Sequence, residues 1–134
     1  MARRRHLSRI AVMQVLFERE RRATIDPLVV LKRNIEELGE VDDGFAEQAL
    51  TGILEQEVRL KEIIQQHAPG WTLERMDPIS RTVLLIGAYE LLHGNDAPPA
   101  VVMNEAIEIA KEFSSDEAGK FVNGVLNAIA KGKK

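Results

Sequence analysis

Apolar side chains recur at intervals of three or four residues through almost the whole chain, and this spacing limits what the chain can fold into. Residues three and four apart share one face of an α-helix, whereas a half-buried strand needs an apolar residue at every second position. No stretch rich in β-branched residues alternates in the way that a strand requires. The pattern therefore predicts an all-α protein.

Local signals at helix ends divide this pattern into segments. The Asp-Pro pairs at 26–27 and 77–78 each place a capping carboxylate before a proline, which favours the first position of a helix. Gly39 and the segment Ala68-Pro69-Gly70 are typical helix stops. We expect a single domain over residues 1–134, folded as a bundle of about six or seven helices.

Three more local features complete the expected fold. Asp42 or Asp43 should open the longest helix, which runs to Ala68 and could join two packed subassemblies. Ser114 and Glu117 have the spacing of a capping box before the last helix. Gly124, inside that last helix, would allow close helix packing because it has no side chain.

The net charge of −3 hides an uneven distribution along the chain. Residues 1–22 carry a charge of +5 with seven arginines, and residues 23–130 carry −11. We interpret residues 1–6 as a basic arm and 131–134 as a basic tail. A basic arm on an acidic body favours a short, local contact with RNA over binding of a long polyanion or a membrane. A solvated, frayed terminus is the alternative interpretation.

The composition excludes several classes of function. The chain has no cysteine, which excludes disulfides, thiolate catalysis and cysteine-ligated zinc. It has no run of about 18 apolar residues that could span a membrane, and its basic start lacks the apolar core of a signal peptide. We expect a cytoplasmic location, although a cysteine-free secreted protein is also compatible with these features.

Candidate ligands for a metal or groups for catalysis are sparse. Glu90 and His93 have the Glu-x-x-His spacing of di-iron bundles, but such bundles use two of these pairs. Glu105, Glu108 and Glu112 share one side of a helix, which is more typical of a solvated face. No glycine-rich phosphate loop and no nucleophile motif occurs. We predict no enzyme activity, no cofactor, no catalytic residue and no metal site.

Two groups of residues have the chemistry that binds single-stranded RNA. Arginines at the start of the first helix can chelate phosphates and stack on unpaired bases. Lys120 and Phe121 combine a phosphate-binding cation with a stacking ring. Burial in the core is the alternative for Phe121, and we interpret Trp71 and Tyr89 as packing residues.

Four segments together resemble the NusB family of bacterial transcription antitermination factors. They are RHLSRIAVMQVLF at 5–17, the segment 77–91 with its Tyr-Glu-Leu, NEAIEIAKEF at 104–113 and KFVNGVL at 120–126. The last two are the most specific, since their combination is difficult to obtain by chance. The resemblance extends over essentially the full chain and is weakest over residues 22–70.

The resemblance implies an all-helical fold and a set of partners. Members of the family pair with NusE, a small-subunit ribosomal protein, and the pair binds the boxA element of nascent RNA. The complex loads onto RNA polymerase with other Nus factors and suppresses termination in ribosomal RNA operons. The resemblance places these residues on the RNA surface: Arg4, Arg5, Arg9, Glu117, Lys120 and Phe121. It places Phe17 and Ser80 on the surface that contacts NusE.

Some positions depart from the pattern of the family. His6 stands where a second arginine is common, and Ser8 stands where alanine is common. Leu85 replaces a charged residue, Ser80 replaces an acid found in some relatives, and Gly119 is expected to add flexibility beside Lys120. The departure at Ser80 bears most on the contact with the protein partner.

Two other functions remain compatible with the sequence. The chain could be a non-catalytic helical adaptor or homodimer with an incidentally basic arm. It could also be an RNA-targeting module like the NusB-like domains that are fused to RNA methyltransferases. The residues leave open whether the arm is ordered without RNA, since arginine-rich segments often fold on binding.

Overall fold

The computed structural model describes residues 2–94 and 97–132, and over these residues the secondary structure is entirely helical. The α-helices are α1 (Ala2–Arg21), α2 (Pro27–Leu38), α3 (Asp43–Glu55), α4 (Glu57–Gln66), α5 (Pro78–His93), α6 (Pro99–Phe113) and α7 (Asp116–Gly132). One turn of 3₁₀-helix, Leu73–Arg75, lies between α4 and α5. The all-α prediction is confirmed. Within the described ranges, no helix combines the length and the apolar character needed to cross a bilayer.

Parts of the predicted basic arm and basic tail, and of the loop after α5, lie outside the described residues. They are Met1 of the basic arm, Asn95 and Asp96 of the loop after α5, and Lys133 and Lys134 of the basic tail. The rest of the arm is helical, because α1 begins at Ala2.

The helix ends follow the predicted capping signals at most positions. Asp26 Oδ1 accepts a hydrogen bond from the backbone N–H of Leu28 at 3.1 Å, which satisfies one of the free donors at the start of α2. Asp77 Oδ2 accepts from the N–H of Ser80 at 3.2 Å at the start of α5. Gly39 ends α2 with a φ of 92°, a conformation that glycine adopts without steric cost.

Two predicted helix boundaries were wrong. The long helix expected from Asp42 to Ala68 is two helices, because Gln56 (φ −106°, ψ 14°) separates α3 from α4. Neither proline nor glycine marks that break, so the apolar spacing does not reveal it. At the start of α7 the cap is Ser115, whose Oγ accepts from the N–H of Ala118 at 3.0 Å, while Ser114 ends α6. The cap is therefore a single Ser115 hydrogen bond and not a capping box, because Ala118 has no side chain that could return one.

Contacts between residues divide the chain into two compact units, residues 1–52 and 53–134. In the first unit α1 packs against α2. An ion pair between Arg33 Nη2 and Glu18 Oε1 at 2.7 Å links the two helices, and its hydrogen bond raises the pKa of Arg33. The single-domain interpretation remains a prediction.

In the second unit α5 packs against α4, α6 and α7, and it has more buried residues than any of them. The closest approach is at Gly87, where an added Cβ would lie 2.7 Å from Leu126 Cδ1 of α7. The close packing expected at Gly124 was wrong, because a Cβ there would meet nothing within 4 Å. Gly119 is buried, and a Cβ there would lie 2.6 Å from Cγ of Lys111. Its role is to let α6 and α7 approach each other within a regular helix.

Candidate functional site

The first basic group lies in the first unit, where the start of α1 is bound to the start of α3. The N–H of Asp42 donates to Ser8 Oγ at 2.9 Å, and Arg4 Nη2 donates to the carbonyl of Val41 at 3.2 Å. Arg5 Nε lies 3.6 Å from Asp42 Oδ2. Ser8, which stands where alanine is common in the NusB family, is thus part of a tertiary hydrogen bond. These contacts join the arginine-bearing start of α1 to the start of α3.

The three predicted RNA-binding arginines of α1 differ in exposure. Arg4 is exposed and Arg5 is half-buried, but only 4% of Arg9 is exposed. The guanidinium carbons of Arg5 and Arg9 lie 4.6 and 5.0 Å from the centroid of the Phe45 ring. A cation at this distance is attracted by the aromatic quadrupole. Arg9 is therefore buried beside the Phe45 ring that it shares with Arg5, while Arg3 and Arg4 face solvent.

Arg9→Ala should lower the free energy of unfolding by about 2 kcal/mol, since a desolvated cation–π contact is lost along with the packing of the side-chain stem. Arg3→Ala is the matched control, because Arg3 is exposed and its loss should leave stability within about 0.5 kcal/mol of the original. Chemical denaturation of the two variants measures both effects. An Arg9→Ala protein that unfolds like the original but loses RNA affinity would assign Arg9 to direct contact instead.

The second group surrounds a pocket in the second unit, formed where α5 and α7 begin. Its volume is about 580 Å³, within the range of small-molecule sites. Its walls include Trp71, Asp77, Ser80, Glu117, Lys120 and Phe121. Three of the predicted RNA-binding residues, Glu117, Lys120 and Phe121, are thus brought together by one turn of α7.

Two aromatic rings form one corner of the pocket. The centroids of Trp71 and Phe121 lie 5.5 Å apart, and their planes meet at 62°, an edge-to-face arrangement. Phe121 is half-buried, whereas 46% of Trp71 is exposed. The guanidinium carbon of Arg75 lies 6.0 Å from the Trp71 ring centroid. This aromatic corner therefore has both an open face and a cation beside it.

The segment that carries Trp71 is held at both ends by side chains of neighbouring helices. The amide of Gln65, on α4, donates to the carbonyl of Trp71 and accepts from the N–H of Leu73 at 3.1 Å. Arg81, on α5, donates to the carbonyls of Leu73 at 2.9 Å and Met76 at 2.7 Å. The N–H of Trp71 itself donates to the carbonyl of Ala68 at 3.1 Å, so its backbone is hydrogen-bonded through both its N–H and its carbonyl.

The charges of the pocket are of both signs. Glu117 and Lys120 are exposed, and among the described residues neither side chain has a hydrogen-bond or ion-pair partner. Asp77 uses one carboxylate oxygen to cap α5. The pocket thus offers a cation to a phosphate and carboxylates to N–H donors of a ligand.

The two predicted protein-contact residues lie in different surroundings. Phe17 is half-buried on α1, with the guanidinium carbon of Arg21 at 4.5 Å from its ring centroid. Ser80 is 1% exposed, and both its N–H and its hydroxyl donate to Asp77. Its side chain serves the start of α5, so any partner contact there would be made mainly through its neighbours.

The sequence predicts Trp71 as a packing residue, and it does contact Phe121, but 46% of it is exposed at the pocket. A signal of that exposure was present, because Trp71 directly follows the helix stop at Gly70 and belongs to no apolar helical face. Phe45 was missed as the aromatic contact of the arginines. In the sequence Phe45 is an apolar residue near the start of a helix, and nothing local pairs it with the arginines.

Comparisons with known proteins agree with this fold. The sequence model of the NusB family matches residues 6–131. A transcription antitermination protein NusB from Thermobifida fusca is 37% identical over 129 residues, 96% of this chain and 90% of that protein. The structure of T. maritima NusB has a TM-score of 0.87 at 35% identity, covering 95% of this chain and 90% of that one.

A further match is a structure of the antitermination factors NusB and NusE in complex with double-stranded RNA. Its TM-score is 0.86 at 28% identity, and the match covers 98% of each chain.

Proposed function

This chain belongs to the NusB family, and from that membership we propose that it is a transcription antitermination protein that binds boxA-type RNA together with NusE. The observation that carries the proposal is the match, over 98% of both chains, to a structure in which NusB and NusE are bound to RNA. The protein acts by binding and carries out no reaction of its own. It acts in the cytoplasm, in a complex with RNA polymerase and other Nus factors that transcribes ribosomal RNA operons.

The charge and exposure of the described residues support RNA binding at two surfaces. In the first unit, Arg3 and Arg4 are exposed on a helix whose start is fixed by tertiary contacts. In the second unit, Lys120 lies beside Phe121 at the pocket, which pairs a phosphate-binding cation with a stacking ring. Phe17 and the start of α5 near Ser80 are proposed for the contact with NusE.

Fluorescence anisotropy with a short boxA RNA, with and without NusE, tests this proposal. We expect tighter binding to boxA than to a scrambled RNA, and a further gain when NusE is present. Affinity should fall as salt rises, because phosphate contacts release counterions from the RNA. Equal, weak binding to both RNAs with NusE present would favour the helical adaptor.

A paired-arginine variant separates the adaptor from the RNA-binding protein. Removing residues 1–6 would cut into α1, so Arg3→Ala combined with Arg4→Ala is the better change. An RNA-binding protein should lose affinity and show a shallower dependence on salt, whereas an adaptor should lose neither. Arg22→Ala combined with Lys32→Ala removes the same charge elsewhere in the first unit and serves as the control.

A further inference from the structure

Trp71 combines a fixed position with an open aromatic face. Gln65 holds its carbonyl and the N–H of Leu73. The N–H of Trp71 donates to the carbonyl of Ala68 at 3.1 Å, and almost half of the residue remains exposed. Phe121 covers only one side, because the two rings meet edge to face. A rigid, exposed indole loses little conformational freedom when a planar group stacks on it, and stacking on aromatic rings is how unpaired bases are commonly held.

The charges around the pocket indicate which part of a nucleotide enters it. Asp77, Glu117 and Lys120 all line the walls, so two carboxylates stand against one cation and their excess negative charge repels a phosphate from the interior. The carboxylates can accept hydrogen bonds from the amino and imino groups of a base, which is neutral. Lys120 and Arg75 are the cations near the rings, and both are exposed. The arrangement suits a base inside the pocket and its phosphates outside, beside these cations.

We infer that Trp71 is an RNA-contact residue and that the pocket it shares with Phe121 receives one unstacked nucleobase. The inference rests on the proposed RNA binding and adds to it a residue and a binding mode. A base lying flat on the open face of Trp71 would turn its edge toward Phe121 and the carboxylates. Glu117 then reads the base edge, which explains an acidic residue on a surface for a polyanion.

Trp71 can serve as an intrinsic fluorescence probe, since it is the only tryptophan in the sequence. Emission of the full-length protein is followed while boxA RNA is added, and RNA affinity is measured in parallel by anisotropy. We expect emission to be quenched with the same dissociation constant that anisotropy gives. Trp71→Ala should weaken binding about fivefold to a hundredfold, and Trp71→Phe should weaken it less because a ring is kept. Phe113→Ala, which removes an exposed ring outside the pocket lining, should bind like the original.

Replacing each nucleotide in turn by an abasic one locates the base. One position should abolish quenching, while the other abasic RNAs that still bind should quench normally. Full RNA affinity without quenching, an unchanged affinity of Trp71→Ala, or quenching that survives every abasic replacement would each overturn the inference and leave the proposed function intact. Absence of RNA binding in the anisotropy measurement would instead overturn the proposed function, and the inference with it. Circular dichroism confirms that each variant is folded.

Discussion

Phe121→Ala is expected to weaken boxA RNA binding about fivefold to a hundredfold, the loss that removal of one base-stacking ring produces. Phe121 lies at the pocket beside Lys120, and it is half-buried against Trp71. The substitution removes both a stacking surface and the edge-to-face support of the indole. Titration of labelled RNA in anisotropy measures the change directly.

Two controls separate lost stacking from lost packing at Phe121. Phe121→Leu keeps an apolar side chain of similar bulk but no ring, so it should keep most of the stability and lose most of the RNA affinity. Asn127→Ala changes an exposed residue of the same helix and should alter neither. If Phe121→Leu bound RNA as tightly as the original, Phe121 would be a packing residue, which is the alternative that the sequence left open.

Leu126→Ala should lower the free energy of unfolding by about 2–5 kcal/mol, because it removes a fully buried side chain and leaves a cavity. Leu126 is 0% exposed, and it lies on the face of α7 that meets Gly87 of α5. This contact lies between the two helices whose starts carry the pocket. Urea denaturation measures the loss, with Asn127→Ala as the exposed control on the same helix.

A double variant tests whether the contact with Gly87 is the reason for this loss. Gly87→Ala places a methyl group where the Leu126 side chain now lies, 2.7 Å from its Cδ1. In the Leu126→Ala background the same methyl fills part of the cavity, so the double variant should be more stable than the sum of the single effects predicts. Additive effects would show that the two residues do not share this space.

Local chemistry was sufficient to predict the helical class and most helix ends. In the Asp-Pro pairs at 26–27 and 77–78, the aspartate accepts from backbone N–H groups two or three residues away. Both partners of each hydrogen bond are therefore close together in the sequence. The residue types of the proposed RNA surface were also identifiable, since Lys120 and Phe121 are adjacent in the chain. The single-domain interpretation and the roles of the site residues stay predictions.

Exposure could not be predicted, because it depends on which distant residues pack together. Arg9 is buried against Phe45, which lies 36 positions away, and no local signal indicates that burial. Trp71 has a large aromatic side chain of the kind that often packs in a core. It nevertheless stays partly exposed beside Phe121, where Gln65 and the 3₁₀ turn hold its backbone. The break at Gln56 carries no local marker. The sequence by itself determined the helical class and most helix ends, through contacts within a turn or two of the chain. Only the tertiary structure decided which charged and aromatic side chains are exposed, because burial is a property of long-range packing.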